Sequence, residues 1–282
     1  MRDSLITVAH SPDSDDAFMF YALARHRIDS RGFKFRHVLS DIETLNQQAM
    51  AGTYEVTAIS FHAYSLLFDQ YVLLDSGASM GDRYGPLVVS RTPMRPNDLK
   101  GKVIAIPGTM TSAFLILKLF EPNFNHIVVP FDQVFQAVLE GRADGGVVIH
   151  EGQLTYASKG LHCVIDLGKW WHQKTGLPLP LGGNAIRRNL GSTVIAQIAT
   201  ILKQSIQYGL DHRDEALEYA MRFARDLEPS LADQFVGMYV NERTLRYGEA
   251  ERRAVQLLLD LGYQEGIINC RVTAEFVDTQ LS

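Results

Sequence analysis

Among nine histidines and thirty-two carboxylates, one histidine stands out by where it sits. The apolar run Gly145-Gly146-Val147-Val148-Ile149 reads as a buried strand, so His150 emerges at its carboxyl end, where open α/β sheets bind ligands. Imidazole has the ordinary pKa nearest neutrality, which makes His150 a candidate general base, with a hydrogen-bonded structural histidine as the competing reading. Thr109-Met110-Thr111-Ser112 places hydroxyls and backbone N–H groups at a helix start, a setting suited to a carboxylate. Plain N-capping by Thr111 or Ser112 accounts for the same residues. Ala58-Ile59-Ser60 closes a second apolar strand, and Asn46 is either turned towards a cleft or an exposed helical amide. Ser11 and Asp16 belong to a first loop whose Asp13, Asp15 and Asp16 form an acidic cluster. That cluster suits sugar hydroxyls, a metal ion or the dipole of the helix that follows. Hard cations use more oxygen ligands at regular spacing, so no metal is expected. Trp170-Trp171 offers an aromatic wall, although core packing carries more weight. Among the other histidines, which lack metal-ligand spacing, only His10 and His62 adjoin candidate sites.

Several chemistries lose their usual support. There is no glycine-rich nucleotide fingerprint, P-loop, nucleophile elbow or H-E-x-x-H helix. What stays open is a cofactor-free reaction driven by a base and by positioned donors. A formal net charge of −5 without a Lys/Arg block argues against nucleic acid as a partner, and the helix start at Thr109 to Ser112 makes a small-molecule carboxylate the expected ligand. Cys163 and Cys270 are isolated, which speaks against a disulfide framework and a cysteine zinc site. Met1-Arg2-Asp3-Ser4 runs into a strand-length apolar stretch with no small-residue cleavage site, and no stretch reaches membrane-spanning length. A cytoplasmic location and no membrane partner are therefore expected.

The elements that must position these residues recur in two halves. Strand Leu5 to Ala9, a polar loop and a helix from Ala17 to Ala24 are matched by strand Val103 to Ile106, loop 107–111 and a helix from Ser112 or Ala113 to Leu119. Asp16-Ala17-Phe18-Met19 aligns with Ser112-Ala113-Phe114-Leu115. A second match pairs Gly52, Glu55 and strand Val56 to Ile59 with Gly141, Asp144 and strand Val147 to Ile149, so that Ser60 falls opposite Ile149, next to His150. Two βαβ lobes facing one cleft would bring these positions together, in an α/β arrangement of the type II periplasmic-binding-protein kind. The first lobe is expected to take residues 1–88 and 185–282, and the second 89–184. Crossings are expected near Gly85 to Ser90 and Leu177 to Gly183. Helical periodicity from Ser192 onward, over 195–206, 216–225 and 252–261, predicts helices packed on the first lobe.

The chain also resembles a known family. Phe18-Met19-Phe20-Tyr21-Ala22-Leu23, Asp41-Ile42-Glu43-Thr44-Leu45-Asn46, Gly85-Pro86-Leu87-Val88-Val89 and Ile149-His150-Glu151 carry the resemblance. Most specific are Asp166-Leu167-Gly168-Lys169-Trp170-Trp171 and Thr175 to Gly182. These resemble the menaquinone-biosynthesis enzymes of the futalosine pathway, the 1,4-dihydroxy-6-naphthoate synthases. The resemblance implies a two-lobed fold. It also implies a carbon–carbon lyase that converts cyclic dehypoxanthine futalosine to 1,4-dihydroxy-6-naphthoate and releases a dihydroxyacetone-like fragment. His150 matches the family's proton acceptor, and Ala58-Ile59-Ser60 with Thr111-Ser112 match its ligand positions. The first loop departs from the family pattern, close to S-P-C-P-N-D, by reading Ser11-Pro12-Asp13-Ser14-Asp15-Asp16. Chorismate dehydratase and a non-catalytic solute-binding protein are the alternatives.

Overall fold

The computed structural model describes residues 5–224 and 228–277. Residues 1–4, read above as the amino terminus, and Arg225, at the end of one expected helix, lie outside them. In chain order the first stretch comprises β1 (Leu5–His10), α1 (Ser14–Ala24), β2 (Lys34–Leu39), α2 (Ile42–Met50), β3 (Val56–Ser60), α3 (Phe61–Leu67), β4 (Tyr71–Leu73) and β5 (Ser79–Gly81). The second comprises β6 (Leu87–Ser90), β7 (Val103–Ile106), α4 (Ser112–Phe120), β8 (Asn125–Val128), α5 (Val134–Leu139), β9 (Gly145–Val148), α6 (Gly152–Thr155), β10 (His162–Asp166) and α7 (Leu167–Thr175). The chain closes with β11 (Leu179–Arg187), α8 (Ser192–Asp211), α9 (Arg213–Ala220), α10 (Pro229–Tyr239), α11 (Glu242–Leu245) and α12 (Glu249–Gln264).

Two sheets result, in the orders β2-β1-β3-β11-β4, with β5 paired to β11, and β10-β6-β9-β7-β8. In each, one strand runs parallel to two neighbours, β1 to β2 and β3, β7 to β8 and β9. An antiparallel strand then closes the sheet beside β3 or β9. The repeat seen in the sequence is thus a repeat of topology: β1, β2 and β3 correspond to β7, β8 and β9. The closing strand is exchanged, because β6 leaves the first half to complete the second sheet and β11 returns to complete the first.

The boundaries expected at 88/89 and 184/185 fall inside β6 and β11, each of which stays whole in one sheet. The passages between sheets lie instead at residues 82–86 and 176–178. The first is pinned by close backbone approach: a Cβ on Gly168 would sit 1.9 Å from the Tyr84 carbonyl oxygen, so only glycine fits there.

Burial explains the helix placement. Phe18 to Leu23 of α1 is apolar on all sides, and such a helix must be covered all round. The sheet covers one side, and α8, α9 and α10 pack on the others. The expectation that the carboxyl-terminal helices pack on the first lobe is met by α8 and α9; α10 falls outside the helices expected from periodicity. The last helix, α12, differs, since it packs on α3 of the first lobe and on α4 of the second. Val255, Leu258 and Leu259 of α12 share one core with Ile104, Ile106 and Leu115, so the lobes are joined by a common apolar cluster.

Candidate active site

Between the sheets lies a cavity with an empty volume of about 760 Å³. Its floor is made where strands end and helices begin, which is why residues distant in sequence converge there. Ser11, Asp15 and Asp16 come from the β1–α1 turn, Ala58, Ile59 and Ser60 from the end of β3, Thr111 and Ser112 from the start of α4, and His150 from the segment after β9. Of the residues expected at the site, Asn46 alone is absent from the lining, although it is fully buried. It supports Ser60 from behind: its Oδ1 accepts from the Ser60 N–H at 2.9 Å and its Nδ2 donates to the Ser60 hydroxyl at 3.2 Å. Neither a cleft amide nor an exposed one, Asn46 fixes the strand end.

His150 departs from the simple strand-end picture. Strand β9 stops at Val148, and His150 adopts left-handed backbone with φ of 54°, uncommon for a side-chain-bearing residue. Its Nδ1 lies 2.9 Å from Asp13 Oδ2, while Nε2 is buried without a hydrogen-bond partner among the described residues. Burial works against the imidazolium, yet the charges of Asp13, Glu151 and Asp15 and the Asp13 hydrogen bond outweigh it and raise the pKa to about 9. The resting histidine is therefore cationic at neutral pH and paired with Asp13.

The acidic loop is correspondingly organised. Burial, reinforced by Asp16 and Asp13, pushes the Asp15 carboxyl well up, and the side chain lines the cavity wall. Burial also lifts Asp16 to about 6, against the Ser11 N–H that donates to its Oδ2 at 2.7 Å. Among the described residues, no group of three or more His, Cys, Asp or Glu side chains is placed to hold a metal ion.

At the opposite wall Thr111 performs the ordinary capping role: its Oγ1 accepts from the Phe114 N–H at 3.1 Å and donates to the Gly108 carbonyl at 2.9 Å. The Met110 N–H donates across the cleft to Glu43 Oε2 at 3.1 Å. Gly108 is required for that approach, because a Cβ there would lie 2.2 Å from the Glu43 carboxylate. Ser112 and the first N–H groups of α4 are what this wall offers a ligand. Among the described residues, no lysine or arginine lines the cavity.

The tryptophan wall is not found. Trp171 is fully buried in the core and Trp170 packs edge-on against Phe120 at 5.4 Å; neither reaches the cavity. His10 is stacked on Phe20 and linked to His37 at 3.1 Å, and burial pushes both rings down to about 4. His62 lies under Phe114 and is likewise lowered by burial. Neither His10 nor His62 lines the cavity.

The sequence reading missed Phe235 and Tyr239 on α10, Gly77 and Ser79 beside β5, and Gln153. Tyr239 donates to Gln153 Oε1 at 2.9 Å, a bond between the carboxyl-terminal helices and the second lobe. No local pattern marks these residues, since a helix packed on α1 delivers two of them. Asp13 was singled out only as part of the cluster, and nothing in its spacing pointed to His150.

A family model described as menaquinone biosynthesis matches residues 6–264. The chain belongs to the menaquinone biosynthesis family. A 1,4-dihydroxy-6-naphtoate synthase of Thermus thermophilus is 39% identical over 253 residues, covering 90% of this chain and 92% of that protein. One of Streptomyces coelicolor is 33% identical over 274 residues, covering 95% and 96%. The family member described here is accordingly a menaquinone-biosynthesis enzyme, consistent with a lyase. A crystal structure of a protein from Archaeoglobus fulgidus is 47% identical with a TM-score of 0.90, covering 94% of this chain and 98% of that one. The alkanesulfonate-binding protein SsuA of Xanthomonas axonopodis pv. citri is 12% identical with a TM-score of 0.73, covering 96% of each chain. A Candida albicans protein exhibiting the generic periplasmic binding protein structural fold is 15% identical with a TM-score of 0.70, covering 99% and 100%. These last two share the fold alone.

Proposed function

We propose that this enzyme converts cyclic dehypoxanthine futalosine to 1,4-dihydroxy-6-naphthoate, with His150 as the general base. The observation that carries the reading is the state of His150 within the cleft: one ring nitrogen is committed to Asp13 and the other has no partner. Nε2 takes a proton activated by a neighbouring carbonyl of the substrate. The electron pair left on carbon forms an enolate; as the carbonyl re-forms, the carbon–carbon bond to the sugar-derived fragment breaks, its electron pair leaves with the fragment, and the fragment takes the proton back from Nε2. Aromatisation of the naphthoate drives the step, and the fragment leaves as a dihydroxyacetone-like molecule. Ser112 and the α4 N-terminus hold the substrate carboxylate, and Ser60, fixed by Asn46, orients an oxygen. Asp15 hydrogen-bonds a hydroxyl at the sugar end. Contacts across the cleft, Glu43 to Met110 and Tyr239 to Gln153, exclude water from the closed site.

A lining that holds one carboxylate by a helix N-terminus, and among the described residues has no lysine or arginine, suits a monocarboxylate with a polyol end better than a dicarboxylate such as chorismate. Offering the cyclic futalosine derivative and chorismate separately, with mass spectrometry of the products, tests the assignment. Naphthoate from the first alone supports it. Loss of the enol-pyruvyl group from chorismate, or tight binding without turnover of either, overturns it.

The pH dependence is a second expectation. Only neutral imidazole accepts a proton, so turnover should climb about tenfold per pH unit and level off near pH 9, where His150 titrates. A rate already flat at pH 6 to 8 would remove His150 from the role of base.

A further inference from the structure

We infer that Asp13, carried by the opposite lobe, is the positioning residue of His150, so that closure of the lobes completes an Asp–His pair whose Nε2 alone is left for the substrate. The inference rests on His150 being the proton-transfer group, and its test reads the imidazole directly.

Asp13 follows β1 in the first lobe, whereas His150 follows β9 in the second. Their side chains meet at 2.9 Å in the interior, where Asp13 is only 1% exposed. The same Asp13 oxygen accepts from the Ser11 hydroxyl at 2.7 Å, which fixes the carboxylate on its own lobe. Asp13 also occupies the N-cap position of α1, where an aspartate ordinarily accepts from the first-turn N–H groups. Its side chain makes no such cap bond. The capping oxygen has been turned across the cleft instead, and His150 meets it from left-handed backbone. Neighbouring Ser14 approaches Glu151 at 3.4 Å, so the two turns are joined by adjacent contacts.

The charged groups facing His150 are Asp13, Asp15 and Asp16 from the first loop and Glu151 from its own segment, with the Phe131 ring edge-on at 5.1 Å. All the titratable groups in that set are acidic, and all except Glu151 belong to the other lobe. Separation of the lobes therefore removes most of the negative field from His150, and its proton affinity falls. Closure raises the proton affinity of His150 and holds Nδ1–H on Asp13, which fixes the ring orientation and leaves Nε2 of the neutral ring as the reacting atom. A base strengthened only in the closed state acts when the substrate is already shielded from water.

NMR titration of the His150 imidazole in wild type and in Asp13→Asn tests this, alongside the pH–rate profile of each. The midpoint is expected to fall by about 1–3 pH units in the variant. The rising limb should move down with it, and the high-pH plateau should drop roughly 10- to 100-fold. Asp13→Glu should recover part of both shifts. An unmoved midpoint and limb in a folded Asp13→Asn protein overturn the inference. A midpoint that moves while His150 proves dispensable for turnover upholds the pairing and sinks the base assignment instead. Should Asp13→Asn not fold, the titration of the wild-type His150 imidazole decides: a midpoint raised above the ordinary 6.5 to about 9 is expected, and an unraised midpoint overturns the pairing.

Discussion

His150→Gln lowers kcat by about 100- to 10,000-fold, the usual contribution of a positioned general base, while affinity for the naphthoate product changes little. The affinity is preserved because the carboxylate is held at the other wall, by Ser112 and the start of α4. His150→Asn is the stricter version, since asparagine tolerates the left-handed backbone found here. Either variant leaves Asp13 buried without its cation, at a cost on the order of 3 kcal/mol in stability. The double variant Asp13→Asn with His150→Asn should recover that stability without recovering turnover. The stability held in the pair has a defined pH range. The folded-state pKa of His150 is raised from the ordinary 6.5 to about 9, so the contribution is complete below about pH 6.5 and fades as pH rises through about 9. Near-normal turnover by either single variant would dismiss His150 from catalysis.

The second large effect concerns folding. Trp171 is fully buried, and its indole N–H donates to the Pro178 carbonyl at 3.0 Å, which ties α7 to the chain just before β11 returns to the first sheet. Trp171→Ala is expected to cost about 3–5 kcal/mol through the cavity left and the orphaned carbonyl. For a chain of this size that corresponds to a melting temperature lower by on the order of 10 °C. Trp170→Ala, by contrast, removes a half-buried ring packed on Phe120 and beneath Lys174, and should cost roughly 1 kcal/mol. Thermal unfolding followed by circular dichroism separates the two. Equal, small losses would show that the return passage does not depend on Trp171.

Much of this architecture was legible in the sequence because it rests on local periodicity. Val103 to Ile106 and Val147-Val148 are apolar runs of strand length, and strands buried on both faces require such runs. The matched halves were legible for the same reason: one βαβ plan repeated produces one pattern repeated. Boundaries were less secure where capping and pairing override propensity. Helix α1 begins at Ser14, three residues before the expected Ala17, and β1 extends through His10 because it pairs with Leu39 of β2.

The sequence also determined which side chains could do chemistry, since His150, Ser60, Thr111, Ser112 and the acidic loop are the reactive residues at strand ends and helix starts. Their mutual geometry was decided by tertiary structure. Asp13 and His150 are far apart in the chain and on different sheets, so no spacing rule relates them; only the facing of the two lobes makes them a pair. Asn46 became a support for Ser60, and the tryptophans became core, because burial in a three-dimensional interior depends on what packs from elsewhere. The protonation of His150 is the clearest case. An isolated imidazole titrates near neutrality, and it took a buried carboxylate from the opposite lobe to hold a proton on it up to about pH 9.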